Sequence, residues 1–176
     1  MSISPHLLDI VLLVLLIAAA LWDMSTRLIP NLLVGTGLVL ALACHFALSG
    51  VAGLVFSFKG LALGMALLII PFFLGGMGAG DVKLLGMVGA FLGPEMVWNA
   101  FLWTALIGGA AALIYLTVSG RLLATLKRLL RPLVSKFLPW ASLALSDVRE
   151  KQQPALYLPY GLIISLGTLA AYWKGW

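Results

Sequence analysis

The chain has 176 residues, of which 62% are hydrophobic and 10% charged, with a formal net charge of +5. Soluble domains carry about 25% charged residues, so a soluble fold is excluded. The apolar runs are continuous rather than alternating, which excludes a membrane β-barrel and leaves one membrane-embedded helical domain over residues 1–176.

Six spans are expected in chain order. Crossing a hydrocarbon core of roughly 30 Å takes about 20 apolar residues. The first span runs from His6 to Asp23, with Ser4 and Pro5 supplying an N-cap and first turn. No basic residue precedes Arg27, so this segment lacks the positive region of a secretory signal and reads as retained. The second span runs from Asn31 to Ser49 and the third from Gly60 to Gly76, while Val51–Phe58 is too short to span and is expected at an interface. The fourth, Val82 to Gly93, is short. The fifth runs from Glu95 to Val118 and the sixth from Ala155 to Trp173. Between these last two, Arg121–Leu138 carries five basic residues, no acidic one, and leucines at helical spacing. It reads as a cationic amphipathic helix on an anionic inner leaflet, kinked at Pro132. The net positive charge therefore reports orientation and lipid rather than nucleic acid.

Charge sets the expected topology. With both termini outside, nine of the eleven Lys and Arg residues fall on the cytoplasmic side, and only Lys59 and Lys174 fall outside. Asp23 and Asp81 then share the cytoplasmic end, although they are far apart in sequence. Asp9, Glu95, Asp147 and Glu150 read as solvated or locally paired. The single cysteine, Cys44, permits neither an internal disulfide nor a Cys-rich zinc site, and Cys44 and His45 read as helix packing.

Two carboxylates carry the chemistry. An Asp at the centre of a membrane helix costs about 2.5–3.5 kcal/mol on insertion scales, so each needs a reason to be there. Asp23 closes its helix at the C-terminal end, where the helix dipole disfavours a negative charge. Its structural alternative is an i,i+4 pair with Arg27. Asp81 follows a glycine run, Gly75, Gly76, Gly78 and Gly80, and its structural alternative is to cap the fourth helix. The stretch from Asp81 to Gly93 is about 20 Å of helix, short of a full crossing. With Pro94 at the outer face, Asp81 therefore lies below the inner surface, where it must face water or a polar partner. Two carboxylates about 4 Å apart repel by roughly 4 kcal/mol at an effective dielectric of 20, so such a pair keeps one proton between them. The protonated member is a general acid and the ionised member a general base, and the sequence leaves open which is which. That chemistry calls for no metal and no cofactor.

The segment Gly78-Ala79-Gly80-Asp81 resembles the Gly-x-Gly-Asp motif of intramembrane aspartyl proteases. Asp23 with Arg27 and Ile29-Pro30-Asn31, then GAGDVKLLG, then Leu158-Pro159-Tyr160-Gly161 with Gly167, resemble in order three motifs of the prepilin peptidases. The compact form is similar to the peptidases of tight-adherence pilus systems. The resemblance implies an aspartic endopeptidase of the cell membrane that removes the short basic leader of a pilin or pseudopilin precursor at the cytoplasmic face. It carries the catalytic pair onto Asp23 and Asp81. Gly78, Gly80, Arg27, Pro30, Asn31 and Lys83 take supporting or substrate-positioning places, Lys83 to tune the pair or place substrate and Asn31 as a donor behind it, and Pro159, Tyr160 and Gly161 shape the cleft. Larger members of that family also methylate the new N-terminus and carry paired Cys-x-x-Cys motifs ahead of the first helix. With one cysteine and a start almost directly in its first helix, this chain is expected to be a peptidase only.

Two rivals come from other classes. An ion-coupled transporter also needs intramembrane Asp and Lys with glycine-broken helices, but the halves show no inverted repeat and both aspartates fall at one face. A non-catalytic assembly scaffold would use the small-residue run Gly108–Ala112 for close packing, which leaves the carboxylates unexplained.

Overall fold

The computed structural model describes residues 5–120 and 159–174. All of its elements are helical: α1 (Pro5–Thr26), α2 (Asn31–Phe73), α3 (Ala79–Val118) and α4 (Tyr160–Lys174). By length and composition α1, α2 and α3 can each cross a membrane, and α4 is a shorter apolar helix. The chain forms two compact units, residues 1–108 with 159–176, and residues 109–158. Of the second, residues 109–120 are described, a helical run ending at Val118 with Gly120 in a left-handed conformation. The expected amphipathic helix Arg121–Leu138 and the start of the sixth span at Ala155 lie outside the described residues.

In α1 the buried residues Leu8, Leu12, Leu16, Ala19 and Asp23 form one helical stripe, so Asp23 shares the face that makes the core. That stripe packs on α4 in antiparallel register. Gly161 meets Asp23, Ser165 Oγ donates to the Leu16 carbonyl at 3.1 Å, and the Tyr172 hydroxyl donates to Asp9 at 2.8 Å. Asp9 is thus locally paired. At the other end the helix closes on Arg27, whose φ is 55° and whose N–H donates to the Asp23 carbonyl at 2.9 Å. A left-handed residue just past the last turn is a common helix stop.

The two longest helices are each interrupted by a glycine. Straight, the 43 residues of α2 would reach about 65 Å, twice the hydrocarbon thickness. Gly50, with φ 58° and ψ −138°, breaks it. The chain then doubles back: the His45 and Phe56 rings sit 5.4 Å apart across the break, against about 16 Å along a straight helix. The second limb of α2 begins immediately after Gly50. This corrects the reading of Val51–Phe58 as an interfacial stretch and of Gly60 as the start of a span. Lys59 lies inside this helix with its side chain exposed.

The second limb presents Gly53, Ser57, Gly60, Gly64 and Leu68 as a buried stripe. Where lipid surrounds helices, small residues allow close backbone approach, and dispersion replaces the hydrophobic drive. A Cβ on Gly60 would lie 2.7 Å from the Gly89 carbonyl carbon and 2.9 Å from Gly93 Cα, and one on Gly64 3.1 Å from Gly86 Cα. A Gly60→Ala protein is therefore expected to lose about 1–3 kcal/mol through overpacking. Gly35, which has nothing within 4 Å of its Cβ position, tolerates alanine. Thermal unfolding of the two variants in detergent checks the contrast.

In α3 the break is at Gly93, φ 78°, followed by Pro94. Pro94 has no N–H, so the Ala90 carbonyl loses its helical donor. The buried Ser57 hydroxyl replaces it at 2.7 Å, and His45 Nε2 donates to the Phe91 carbonyl at 3.0 Å. His45 thus does more than fill space: it covers a broken helix end, which places its proton on Nε2. Beyond Gly93 the chain runs back toward the first turn of α4, where a Cβ on Gly108 would lie 3.4 Å from Ile163. The described residues thus hold four helices, two of them broken where the second and fourth spans were expected to end. The C-terminal end of α1, the first turns of α2, α3 and α4, and the last turn of α2 gather at one end.

Candidate active site

Asp23 and Asp81 are both buried at that end, 6% and 8% exposed. Each is fixed by a helix N-terminus. The Asp23 carboxylate accepts the Gly161 N–H at 2.8 Å. Gly161 is the second residue of α4, and its N–H has no partner within its own helix. The unfavourable position at the end of α1 is therefore offset by the positive end of α4. Ser165 Oγ, donating to the Gly161 carbonyl at 2.8 Å as well as to Leu16, steadies this turn. The sequence reading did not single out Ser165, although its i,i+4 spacing from Gly161 was the available signal.

Asp81 is the third residue of α3. Its carboxylate reaches back to accept the Gly78 N–H at 3.0 Å, while its own N–H donates to the Gly78 carbonyl at 3.2 Å. This is half of a capping box, with glycine where Ser or Thr usually stands. The capping role weighed for Asp81 is real, and it is exerted from inside the helix. The two carboxyls lie within electrostatic reach of each other, and Asp81 within reach of the half-buried Tyr160 phenol. Pro159 and Tyr160 thus start a helix whose first turn bonds Asp23 and lies within electrostatic reach of Asp81.

The remaining residues are sorted around this pair. The connection after α1 lies on the first turn of α3: Ile29 Cβ is 3.3 Å from where a Gly80 Cβ would be. Pro30 precedes α2 in an extended conformation, φ −61° and ψ 129°. Lys83 Nζ donates to Asn31 Oδ1 at 2.9 Å. Arg27 is exposed and joins Asp23 through its backbone N–H. Gly75, φ 74°, turns the chain out of α2, Gly78 donates its N–H to Asp81, and Gly80 makes room for Ile29. Each carboxylate commits one oxygen to a backbone N–H, and its acceptor capacity exceeds that one bond. Two buried, interacting carboxyls can in principle act as general acid and general base toward a water when one of them holds a proton.

Fold and site together define a helical membrane protein with a carboxylate pair at one end. Comparison with protein-family models assigns this class more narrowly. The model of the type IV leader peptidase family matches residues 10–113, and the chain belongs to that family. It is therefore a peptidase of the leader-peptidase class. The match includes Asp23 and Asp81, and Pro159–Gly161 lie beyond it. No curated protein matches the chain, and no solved structure matches it.

Proposed function

We propose that the chain is an aspartic endopeptidase that removes the short basic leader of type IV prepilins or pseudopilins. The observation that supports this reading is that two buried carboxyls, each accepting a backbone N–H at a helix N-terminus, lie within electrostatic reach of each other in a member of the leader peptidase family. The ionised carboxylate takes a proton from water, and the hydroxide attacks the scissile peptide carbonyl. The protonated carboxyl hydrogen-bonds that carbonyl oxygen, and the proton taken from water passes to the departing amine. These residues contain no Cys-x-x-Cys pair, so we assign them hydrolysis and no methyl transfer.

The topology proposed with it has six crossings, the breaks at Gly50 and Gly93 serving as turns, and both termini outside. The positive-inside bias then puts the site at the cytoplasmic face of the cell membrane, with the basic Arg121–Leu138 segment on anionic lipid. A carboxylate pair at one end fits surface proteolysis better than midplane ion coupling. The purified protein in liposomes, given a prepilin precursor, is expected to yield a shortened pilin whose new N-terminus follows the basic leader. Ion uptake without cleavage would instead make it a carrier, and neither activity would leave the scaffold.

A further inference from the structure

We infer that Lys83 and Asn31, with Ile29 and Gly80, form a clamp that sets the spacing of the two aspartates. This rests on the dyad reading above. Asp23 closes α1 and Asp81 opens α3, and no covalent feature holds those ends together. The chain between Thr26 and Asn31 follows α1 directly and reaches the first turn of α3. It is pinned to the first turn of α3 at two points, by Ile29 against Gly80 and by the 2.9 Å bond from Lys83 Nζ to Asn31 Oδ1. Asn31 is the first residue of α2, and Lys83 stands two residues beyond Asp81. The bond therefore ties the start of α2 to the helix carrying Asp81, four residues past the left-handed stop of α1. The ammonium commits one of its three N–H donors to a side-chain amide of the protein, a bond that holds the loop to α3. Lys83 is a positioning residue that acts through the loop.

The clamp makes an unusual prediction about the turnover number. Lys83→Met and Asn31→Ala remove the same bond from opposite ends. Each is expected to lower kcat about tenfold with KM nearly unchanged, and the double variant to lose no more than either alone. Asn31→Asp keeps an acceptor for Lys83 and retains most of kcat. A covalent replacement separates spacing from any other role. The Ile29 Cβ and the Gly80 Cβ position, 3.3 Å apart, are close to the about 3.5–4.5 Å of a disulfide. In Cys44→Ser protein carrying Ile29→Cys and Gly80→Cys, copper–phenanthroline is expected to form the crosslink, read as a gel shift. In the same protein with Lys83→Met, oxidation is expected to raise kcat severalfold over the reduced sample. No crosslink, a crosslink without recovery, or a loss confined to KM overturns the clamp. Cleavage that survives Asp23→Asn or Asp81→Asn overturns the dyad instead, and the gel shift does not depend on it.

Discussion

Asp23→Asn and Asp81→Asn are each expected to abolish precursor cleavage, by at least about 10³-fold, while leaving the protein folded. The geometry makes asparagine the discriminating substitution. Each aspartate accepts one backbone N–H, from Gly161 at 2.8 Å or from Gly78 at 3.0 Å, and an asparagine carbonyl oxygen can accept the same bond. If the carboxylates served only to cap α3 and α4, asparagine would keep both helix starts and full activity. What asparagine cannot do is hold and release a proton, and general acid–base catalysis is worth about 10²–10⁴-fold. The double variant is expected to be no worse than either single one, because two groups sharing one reaction act as a unit. The measurement is the cleavage rate of a prepilin precursor, beside thermal unfolding to show that the variants fold. Either single variant at wild-type rate removes the dyad from the mechanism.

The sequence carried the ends of this site better than its middle. Asp23 and Asp81 were legible because a charge in an apolar run is costly and must be explained. The turn at Gly93 was legible because Pro94 cannot continue a helix. The break at Gly50 was legible as well, since the second span was expected to end at Ser49, but the start of the next limb directly after it was not, because Lys59 looked like the end of an interfacial stretch. A lysine can instead lie along a helix with its stem against apolar surface and its ammonium reaching outward, so its charge was a poor boundary marker. The partners of the broken carbonyls were missed for a similar reason. His45 read as packing and Ser57 fell in a stretch expected at an interface, yet a proline in a helix always orphans a carbonyl upstream. The need for a donor to Ala90 was therefore predictable, and its identity was not, because it depends on which limb doubles back. The same holds at Asp23. Its place at the wrong end of a helix dipole is resolved by α4, whose start lies more than a hundred residues on. No local pattern reports such a contact.

That contact yields the second large effect. Gly161→Ala is expected to lower kcat about 100-fold with the fold retained. A Cβ at this position would lie 2.9 Å from Asp23 Oδ2, 3.0 Å from its Cβ and 3.1 Å from its Cγ. All three are closer than side-chain atoms normally approach, and two of them belong to the carboxyl group itself. The first turn of α4 cannot readily retreat, because Ser165 bonds both the Gly161 carbonyl and the Leu16 carbonyl of α1. The Asp23 side chain must therefore swing away, losing the N–H that offsets its position and changing its separation from Asp81. A misplacement of about 1 Å at a reacting group can cost about 10²-fold in rate. Gly167, six residues further along the same helix, supplies the contrast. Its Cβ would press on Thr104, 2.6 Å from the backbone nitrogen and 2.7 Å from Cα, far from either carboxylate. Gly167→Ala should lower thermal stability by about 1–3 kcal/mol, with the loss falling on the amount of folded enzyme. Gly161→Ala should do the reverse, sparing stability and lowering kcat. If both alanines moved stability alone, Asp23 would not depend on the N-terminus of α4 for its working position, and the helix would be packing rather than part of the site.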